Sequence, residues 1–275
     1  MATETSLPTC YRHPDRETRL ACSACDRPAC VECVRAAAVG QKCVDCAAPH
    51  GRSRVITAPQ TRRTSGAPVA VGILATCCVV YLLESLYPVG GMLAALGEQR
   101  NAAIQAGEWW RLLTSAFLHA NLMHLLFNMW ALWIFGPDLE RRAGSAAFAA
   151  LYVSSVLAGS AAFYFIAGLG AGPAVGASGA IFGLFGAWTA EALRQRHTLA
   201  GRASLNQLLI LLGINAALPL AIPNIAWQAH LGGLVAGFSI AFLWSVSARG
   251  SGRALARVLI AGAFGAVALA LVVLL

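Results

Sequence analysis

Residues 176–193 read GASGAIFGLFGAWTAEAL, an apolar run in which two glycines four residues apart follow Ser178. A second apolar run, AHLGGLVAG at residues 229–237, has two glycines with the same spacing after His230. Small residues four apart lie on one face of a helix and let two helix backbones approach closely. The two runs therefore predict a pair of tightly packed membrane helices that brings the hydroxyl of Ser178 within reach of the His230 imidazole.

Similar apolar runs fill the chain from residue 68 onward. The sequence is 58% hydrophobic and 12% charged, whereas a soluble domain has about 25% charged residues. A helix crosses the hydrocarbon with about 20 apolar residues. This length predicts an all-α polytopic membrane protein with seven spans, at residues 68–87, 117–136, 146–168, 178–193, 204–222, 227–245 and 254–274.

The N-terminal quarter of the chain has a different composition. Residues 1–66 contain ten of the 20 Lys and Arg and seven of the nine Cys. We therefore expect a Cys/His-rich module at residues 1–50, followed by a basic linker at 51–67. The six helices of residues 68–245 form the core of the membrane domain, and residues 246–275 add the seventh helix.

The basic residues predict the orientation in the membrane. Lys and Arg cluster at the ends of apolar runs, and 18 of the 20 fall on one side if the N-terminus is cytoplasmic. The positive-inside rule favours that orientation. We therefore expect a multi-pass cell-membrane protein whose N-terminus is cytoplasmic and whose C-terminal Leu275 lies on the outer side. The same clustering explains the net charge of +8 without nucleic acid.

Polar side chains inside membrane spans are costly and point to function. His124 and Asn128 share a helix face in the run HANLMHLLFN, and the predicted topology places them near the depth of Ser178 and His230. A neutral Ser needs an adjacent base to act as a nucleophile. Amide hydrolysis also needs hydrogen-bond donors for the oxyanion that develops on the scissile carbonyl. The side chains of His124 and Asn128 and the backbone N–H of Ser178 can supply them. Because no carboxylate lies at this depth, we expect a Ser-His dyad rather than a triad.

Five motifs occur in an order that resembles one known family. They are Trp110-Arg111, HANLMHLLFN (119–128), ERR (140–142), GASG (176–179) and AHLGGLVAG (229–237). Together they resemble the rhomboid family of intramembrane serine proteases, over about residues 68–245. The resemblance implies a rhomboid-like bundle with a six-plus-one arrangement of helices.

The resemblance also implies a role for each matched residue. Ser178 matches the nucleophile and His230 the base, while His124 and Asn128 match the side chains that stabilise the oxyanion. Glu140 and Arg142 match a structural pair that ties down the first loop and the second helix. The supporting residues that the motifs contribute are His119, Gly176, Gly179, Trp110 and Arg111.

The implied reaction is hydrolysis of a peptide bond in or beside a transmembrane segment of another protein, with no cofactor for catalysis. The partners would be transmembrane substrates and the lipid bilayer. One alternative is a rhomboid-like scaffold that binds membrane proteins without cutting them. Another alternative is a transporter, for which we would expect repeated halves and charged residues within the spans. The sequence has no clear inverted repeat and almost no charged residues inside its spans.

The N-terminal module contains closely spaced metal-binding residues. Four pairs with C-x2-H or C-x2-C spacing supply eight ligands, which suits two tetrahedral zinc sites. About forty residues build no adequate core, so bound metal would supply the folding energy. Disulfides are rare in the reducing cytoplasm, where the topology places this module. The candidate ligands are Cys10, His13, Cys22, Cys25, Cys30, Cys33, Cys43, Cys46 and His50.

The order of these ligands resembles a zinc-ribbon or B-box-like, cross-braced finger. That resemblance implies that Cys10, His13, Cys30 and Cys33 hold one zinc ion. It assigns the other ion to Cys22, Cys25, Cys43 and Cys46. His50 would be a substitute ligand or a spectator. The module is open to a role in binding a protein partner, in regulation or in capping the first helix, and no recognition-helix pattern indicates nucleic acid.

Overall fold

The computed structural model describes residues 7–37, 40–47, 66–247 and 252–275. The chain divides into two compact units, Met1–Arg62 and Arg63–Leu275. His50 and most of the predicted linker lie outside the described residues.

The N-terminal unit is built from two small hairpins and one helical turn. Strand β1 (Thr9–Cys10) pairs antiparallel with β2 (His13–Glu17), and β3 (Val34–Ala36) pairs antiparallel with β4 (Gln41–Cys43), which leads into helix α1 (Val44–Ala47). The buried centre of this unit consists mainly of cysteine side chains rather than aliphatic ones. Its buried hydrophobic residues are Cys10, Cys22, Ala29, Cys30, Cys33 and Cys43.

The second unit is helical. Its helices in chain order are α2 (Pro68–Glu84), α3 (Val89–Gly97), α4 (Asn101–Gln105), α5 (Arg111–Thr114), α6 (Leu122–Ala143), α7 (Ser145–Ala167), α8 (Ser178–Arg194), α9 (Leu199–Ala221), α10 (Trp227–Ser247) and α11 (Arg253–Leu274), with a 3-10 turn at Ser115–Phe117. Each of the seven predicted spans overlaps one of the long helices α2 and α6–α11. The predicted helical membrane fold is therefore confirmed.

Four of these helices are long and apolar enough to cross a membrane, namely α7, α9, α10 and α11. Helix α2 is apolar but has 17 residues, and α8 has the same length. Helix α6 carries an acidic and basic C-terminal end. The protein is a multi-pass membrane protein.

The predicted start of the second span was five residues too early. Helix α6 begins at Leu122 because Asn121 caps it, with the Asn121 side-chain oxygen accepting a hydrogen bond of 2.9 Å from the His124 N–H. An N-cap of this kind satisfies one of the free N–H groups of the first turn. His124 therefore lies in the first turn of α6 rather than two turns inside it.

Helices α7, α8 and α10 form the packed centre of this unit. The side chains of Leu151 in α7, Leu184 in α8 and Ile240 in α10 are fully buried. By contrast, only 6% of the apolar 18-residue stretch of α9 is buried inside the protein. Helix α11 lies on α7, where the Ser154 hydroxyl donates to the carbonyl oxygen of Ala261 at 2.7 Å.

The long connection between α2 and α6 is folded rather than extended. It consists of the short helices α3, α4 and α5 and the 3-10 turn. Arg111, which is buried, holds it together by donating to the carbonyl oxygens of Glu98 at 2.8 Å and Ala95 at 2.6 Å. The connection thereby forms a compact layer, in which α5 packs against α7.

Candidate functional site

Ser178 and His230 meet at the starts of two helices. Ser178 is the first residue of α8, and His230 lies in the first turn of α10. The Ser178 Oγ and the His230 Nε2 are 2.9 Å apart, which is within the range for proton transfer between a nucleophile and its base. Among the described residues, no carboxylate hydrogen-bonds to the His230 ring.

The glycines that follow these two residues bring the helices together. A Cβ atom added at Gly233 would overlap the carbonyl oxygen of Gly179, and one at Gly237 would overlap that of Gly183. Only hydrogen at these positions permits such close contact of the backbones. The spacing of glycines in the sequence thus identified the seam that sets the distance between Ser178 and His230.

The imidazole of His230 is also fixed by an aromatic neighbour. The rings of His230 and Phe182 are stacked, with centroids 4.2 Å apart and planes inclined by 6°. Phe182 lies one turn after Ser178 on the same face of α8. The stack therefore limits rotation of the imidazole and keeps its Nε2 directed at the hydroxyl.

His124 faces the segment that precedes Ser178. Gly176 has a φ of +122°, and a Cβ atom there would lie 2.5 Å from the Cε1 atom of His124. A side chain at this position is excluded by both its backbone conformation and the imidazole. Gly176 thus allows the His124 ring to lie directly against the backbone beside the nucleophile.

Asn128 and His119 lie near His124. The buried Asn128 amide donates to the His124 carbonyl oxygen at 2.8 Å, one turn back in α6, and its second N–H remains available. The rings of His119 and His124 are 5.2 Å apart and meet edge to face. His119 is buried, and within the described residues neither of its ring nitrogens has a hydrogen-bond partner.

A small cavity of about 30 Å³ lies beside Ser178. This volume has room for about two water molecules. Polar side chains that line it include Gln99, Ser115 and Ser160, together with Ser178 itself. Water in this cavity can therefore hydrogen-bond to polar side chains next to the Ser178 hydroxyl.

Trp110 and Arg111, the predicted supporting pair, act on the folded connection. The Trp110 indole N–H donates to the carbonyl oxygen of Leu96 at 3.0 Å. Arg111 makes the carbonyl contacts described above and an ion pair with Glu108. Both residues therefore hold the layer that precedes α6 and do not contact Ser178 or His230.

Glu140 and Arg142 contact different partners, so the joint role that the resemblance implies for them stays a prediction. The Glu140 carboxylate accepts hydrogen bonds from the backbone N–H groups of Val69 at 3.1 Å and Ala70 at 2.8 Å, and so caps α2. Arg142 instead pairs with Asp138 at 2.7 Å, one turn back in α6. Residues two apart on a helix point in different directions, which is why these two side chains have separate partners.

The candidate metal ligands form two groups. The groups are Cys10, His13, Cys30 and Cys33, and Cys22, Cys25, Cys43 and Cys46. In each group, one ligand atom from every residue lies within 4.8 Å of the others. Ligands from alternate pairs along the chain thus meet, as in the cross-braced order.

The spacing of these atoms fits tetrahedral coordination. Zinc with typical bond lengths separates two sulfurs by about 3.8 Å and a sulfur and a nitrogen by about 3.6 Å. The His13 Nδ1 lies 3.4 Å from the sulfurs of Cys30 and Cys33, and the sulfurs of Cys25 and Cys43 are 3.9 Å apart. The two clusters could each hold a metal ion.

One thiol of the second group is easily ionised. A hydrogen bond from the backbone of Cys43, with another from Ala24, lowers the pKa of the Cys22 thiol to about 6. The thiolate is the form that binds metal. These backbone hydrogen bonds thus favour the form of Cys22 that binds a cation.

Sequence reasoning missed three residues near the site. They are Phe182, Asn121 and Gln99. The position of Asn121 before an apolar run is an N-cap signal that would have corrected the start of α6. Phe182 and Gln99 carry no such local signal, because their roles depend on partners 48 or more residues away in the sequence.

Comparison with known proteins gives a consistent result. The model of the Rhomboid domain family matches residues 106–247. The chain is 40% identical over 146 residues to the rhomboid protease GluP of Bacillus subtilis, and these residues cover 53% of this chain and 28% of that protein. It is 38% identical over 179 residues to the putative rhomboid protease YdcA of the same organism, covering 64% of this chain and 88% of the relative.

A third relative is the rhomboid protease GlpG of Serratia proteamaculans, 31% identical over 188 residues, which cover 66% of this chain and 65% of that protein. The matched region thus spans less than two thirds of the length of GluP and GlpG, and most of YdcA. The family match includes Ser178, His230, His124 and Asn128 within its bounds. With its helical membrane fold and these matches, the chain belongs to the rhomboid family.

Proposed function

We propose that this chain hydrolyses peptide bonds in or beside the transmembrane segments of other membrane proteins, with Ser178 and His230 as a catalytic dyad. The observation that carries the proposal is the 2.9 Å separation of Ser178 Oγ and His230 Nε2. We assign this activity to the core of residues 68–245, with residues 246–275 as an additional helix.

The reaction begins with proton transfer. His230 Nε2 accepts the hydroxyl proton as Ser178 Oγ attacks the scissile carbonyl carbon, giving a tetrahedral intermediate with a negatively charged oxygen. His230 then donates the proton to the leaving amine, and an acyl-enzyme on Ser178 remains. Water, activated by His230 in the same way, hydrolyses this ester. The polar cavity next to Ser178 supports the access of that water.

The negatively charged oxygen needs hydrogen-bond donors. The Ser178 backbone N–H at the start of α8 is one, and its first-turn position gives it no partner within the helix. The side chains of His124 and Asn128 are the others. Donors aimed at the developing charge in a site of low dielectric contribute strongly to rate.

The substrate must present an unwound segment. A regular transmembrane helix keeps its backbone groups in internal hydrogen bonds, so the cleaved bond lies where the helix is locally opened. We assign the site to the outer half of the bilayer, with a cytoplasmic N-terminus, on the distribution of Lys and Arg.

A transmembrane reporter cleaved in lipid vesicles tests the proposal. Ser178→Ala and His230→Ala should each reduce cleavage below detection, while Ser245→Ala, at an exposed serine of α10, should cleave like the wild type. A fluorophosphonate probe should label the wild type but not Ser178→Ala. A wild-type protein with neither cleavage nor labelling would instead indicate a membrane-protein-binding scaffold.

We further propose that the N-terminal unit binds two structural zinc ions, in the two ligand groups described above. The distances within these groups support tetrahedral coordination by four protein ligands. Four protein ligands leave no open position for substrate, so the ions would stabilise the fold rather than act in catalysis.

A further inference from the structure

The segment immediately before Ser178 is held by backbone hydrogen bonds from another part of the chain. Gln99 and Ala174 form a single antiparallel bridge, in which each N–H donates to the other's carbonyl oxygen at 3.0 Å. Two residues later, the Gly176 N–H donates to the carbonyl oxygen of Ser115 at 2.9 Å. The Ala174–Gly176 segment therefore takes its position from the folded connection between α2 and α6.

Gln99 is itself fixed by its side chain. Its Nε2 donates to the carbonyl oxygen of Ser160 in α7 at 2.9 Å and to Oδ1 of Asn101 at 3.2 Å. Asn101 Nδ2 in turn donates to the carbonyl oxygen of Gly168, just after α7, at 2.8 Å. We call Gln99 and Asn101, with these bonds, the amide clamp.

The amide clamp is buried in an apolar protein. Gln99 is 3% and Asn101 1% exposed, and burying two amides is costly unless their hydrogen bonds are made. Both donate to the backbone of α7 and its C-terminal end, and neither contacts Ser178 or His230. The clamp thus joins the Gln99 bridge to the rigid packed centre of the molecule.

The Gln99 bridge and the amide clamp position one wall of the small cavity beside Ser178. Gln99, Ala174, Gly176 and Ser178 all line the small cavity at the nucleophile. By contrast, the separation of Ser178 and His230 is set by the glycine seam between α8 and α10, and His124 and Asn128 stand on α6. Loss of the clamp would therefore move the wall and leave the dyad in place.

From this geometry we propose that Gln99 is a positioning residue for peptide cleavage. Through the amide clamp it holds the Ala174–Gly176 wall where a peptide substrate must fit, and so affects how the peptide is held rather than the reactivity of the hydroxyl. The proposal rests on the proteolytic function proposed above.

The experiment compares Gln99→Met with Gln105→Met in the full-length protein. Methionine matches the length of glutamine but lacks its N–H donors, and Gln105 is exposed at the end of α4, the helix that follows Gln99. For Gln99→Met we expect kcat/KM for a transmembrane peptide reporter to fall about 10- to 100-fold, since small misplacements of substrate have effects of this size. The rate of fluorophosphonate labelling at Ser178 should stay within about twofold of the wild type, because a small probe does not need the wall.

Asn101→Ala should reproduce this pattern, and Gln99→Asn, which keeps the amide and loses one methylene, should recover part of the cleavage. These variants also carry the test if Gln99→Met does not fold. Equal cleavage by Gln99→Met and Gln105→Met would overturn the clamp proposal, and so would a parallel loss of cleavage and labelling in folded protein. Absence of both reactions in the wild type would instead overturn the proteolytic function itself.

Discussion

Gly233 in α10 packs directly against the backbone carbonyl of Gly179 in α8. This contact lies one residue after the proposed nucleophile and three residues after the proposed base. We predict that Gly233→Ala forces the two helices apart, because the added Cβ would overlap backbone atoms that have no freedom to rotate away. Overpacking of this kind costs about 1–3 kcal/mol, and cleavage should fall at least about tenfold because proton transfer needs a short contact.

Gly262→Ala is the matched control for this change. Gly262 lies within α11, and a Cβ atom there has no neighbour within 4 Å. Alanine in a helix interior is favoured over glycine by about 0.5–1 kcal/mol, so this variant should retain cleavage and melt no lower than the wild type. Thermal melting and reporter cleavage measure both effects, and wild-type cleavage by Gly233→Ala would refute the role of the seam.

The proposed oxyanion donors give a second prediction. Asn128→Ala should lower kcat about 10²- to 10³-fold with little change in KM, since such a donor acts mainly in the transition state. Asn215→Ala is its control, because the Asn215 amide also donates one turn back, to the carbonyl oxygen of Leu211 at 2.8 Å in α9. Steady-state kinetics with a reporter decides the matter: equal kcat values for the two variants would remove Asn128 from the mechanism.

The sequence predicted those features of the site that depend on local spacing. Glycines four residues apart indicated which faces of α8 and α10 meet, and the C-x2-C and C-x2-H spacing indicated which candidate ligands form close pairs. Both signals are short-range, because a helical repeat or a C-x2-C turn places its members without reference to the remaining chain.

Features that depend on distant partners were not predictable in this way. The sequence does not indicate that the Glu140 carboxylate turns to the N-terminus of α2, 70 residues earlier, rather than to a neighbouring arginine. The sequence also does not indicate that the Gln99 amide donates to the carbonyl oxygen of Ser160, since any unpaired backbone carbonyl could accept that hydrogen bond. Every residue has a backbone carbonyl, so a hydrogen bond from a side chain to the backbone requires no particular residue type at the acceptor and leaves no signal in the sequence.

The proposed zinc centres give a third prediction. The purified full-length protein should contain about two zinc ions per chain by elemental analysis, since eight ligands in two tetrahedral groups bind two ions. Cys22→Ser should reduce this to about one, because it removes a ligand from the second group alone. Cys78→Ser, in the membrane helix α2, should leave both ions bound.

Two further results would contradict the zinc prediction. A wild-type protein without zinc would exclude the centres, and loss of both ions in Cys22→Ser would show that the two groups do not bind independently. Strong chelation should unfold the N-terminal unit, because its buried centre is formed by the ligands themselves. Reporter cleavage should be measured in parallel, as it shows whether the metal-bound unit affects the protease.

The fourth prediction concerns the capping of α2 by Glu140. Its buried carboxylate receives two backbone N–H groups at the positive end of that helix, and the Ser145 hydroxyl donates to it at 2.6 Å. Glu140→Gln removes the charge and one acceptor, so we expect a loss of about 1–3 kcal/mol in stability. Cleavage at low temperature should persist, because Glu140 lies about 24 Å along α6 from His124.

Asp138→Asn provides the comparison that separates capping from ion pairing on this helix. Asp138 pairs with Arg142 at a partly exposed position, and such pairs contribute about 0–1 kcal/mol. Thermal melting should therefore rank Glu140→Gln well below Asp138→Asn, which should resemble the wild type. The reverse order would mean that the Asp138–Arg142 pair within α6 contributes more to stability than the Glu140 cap does.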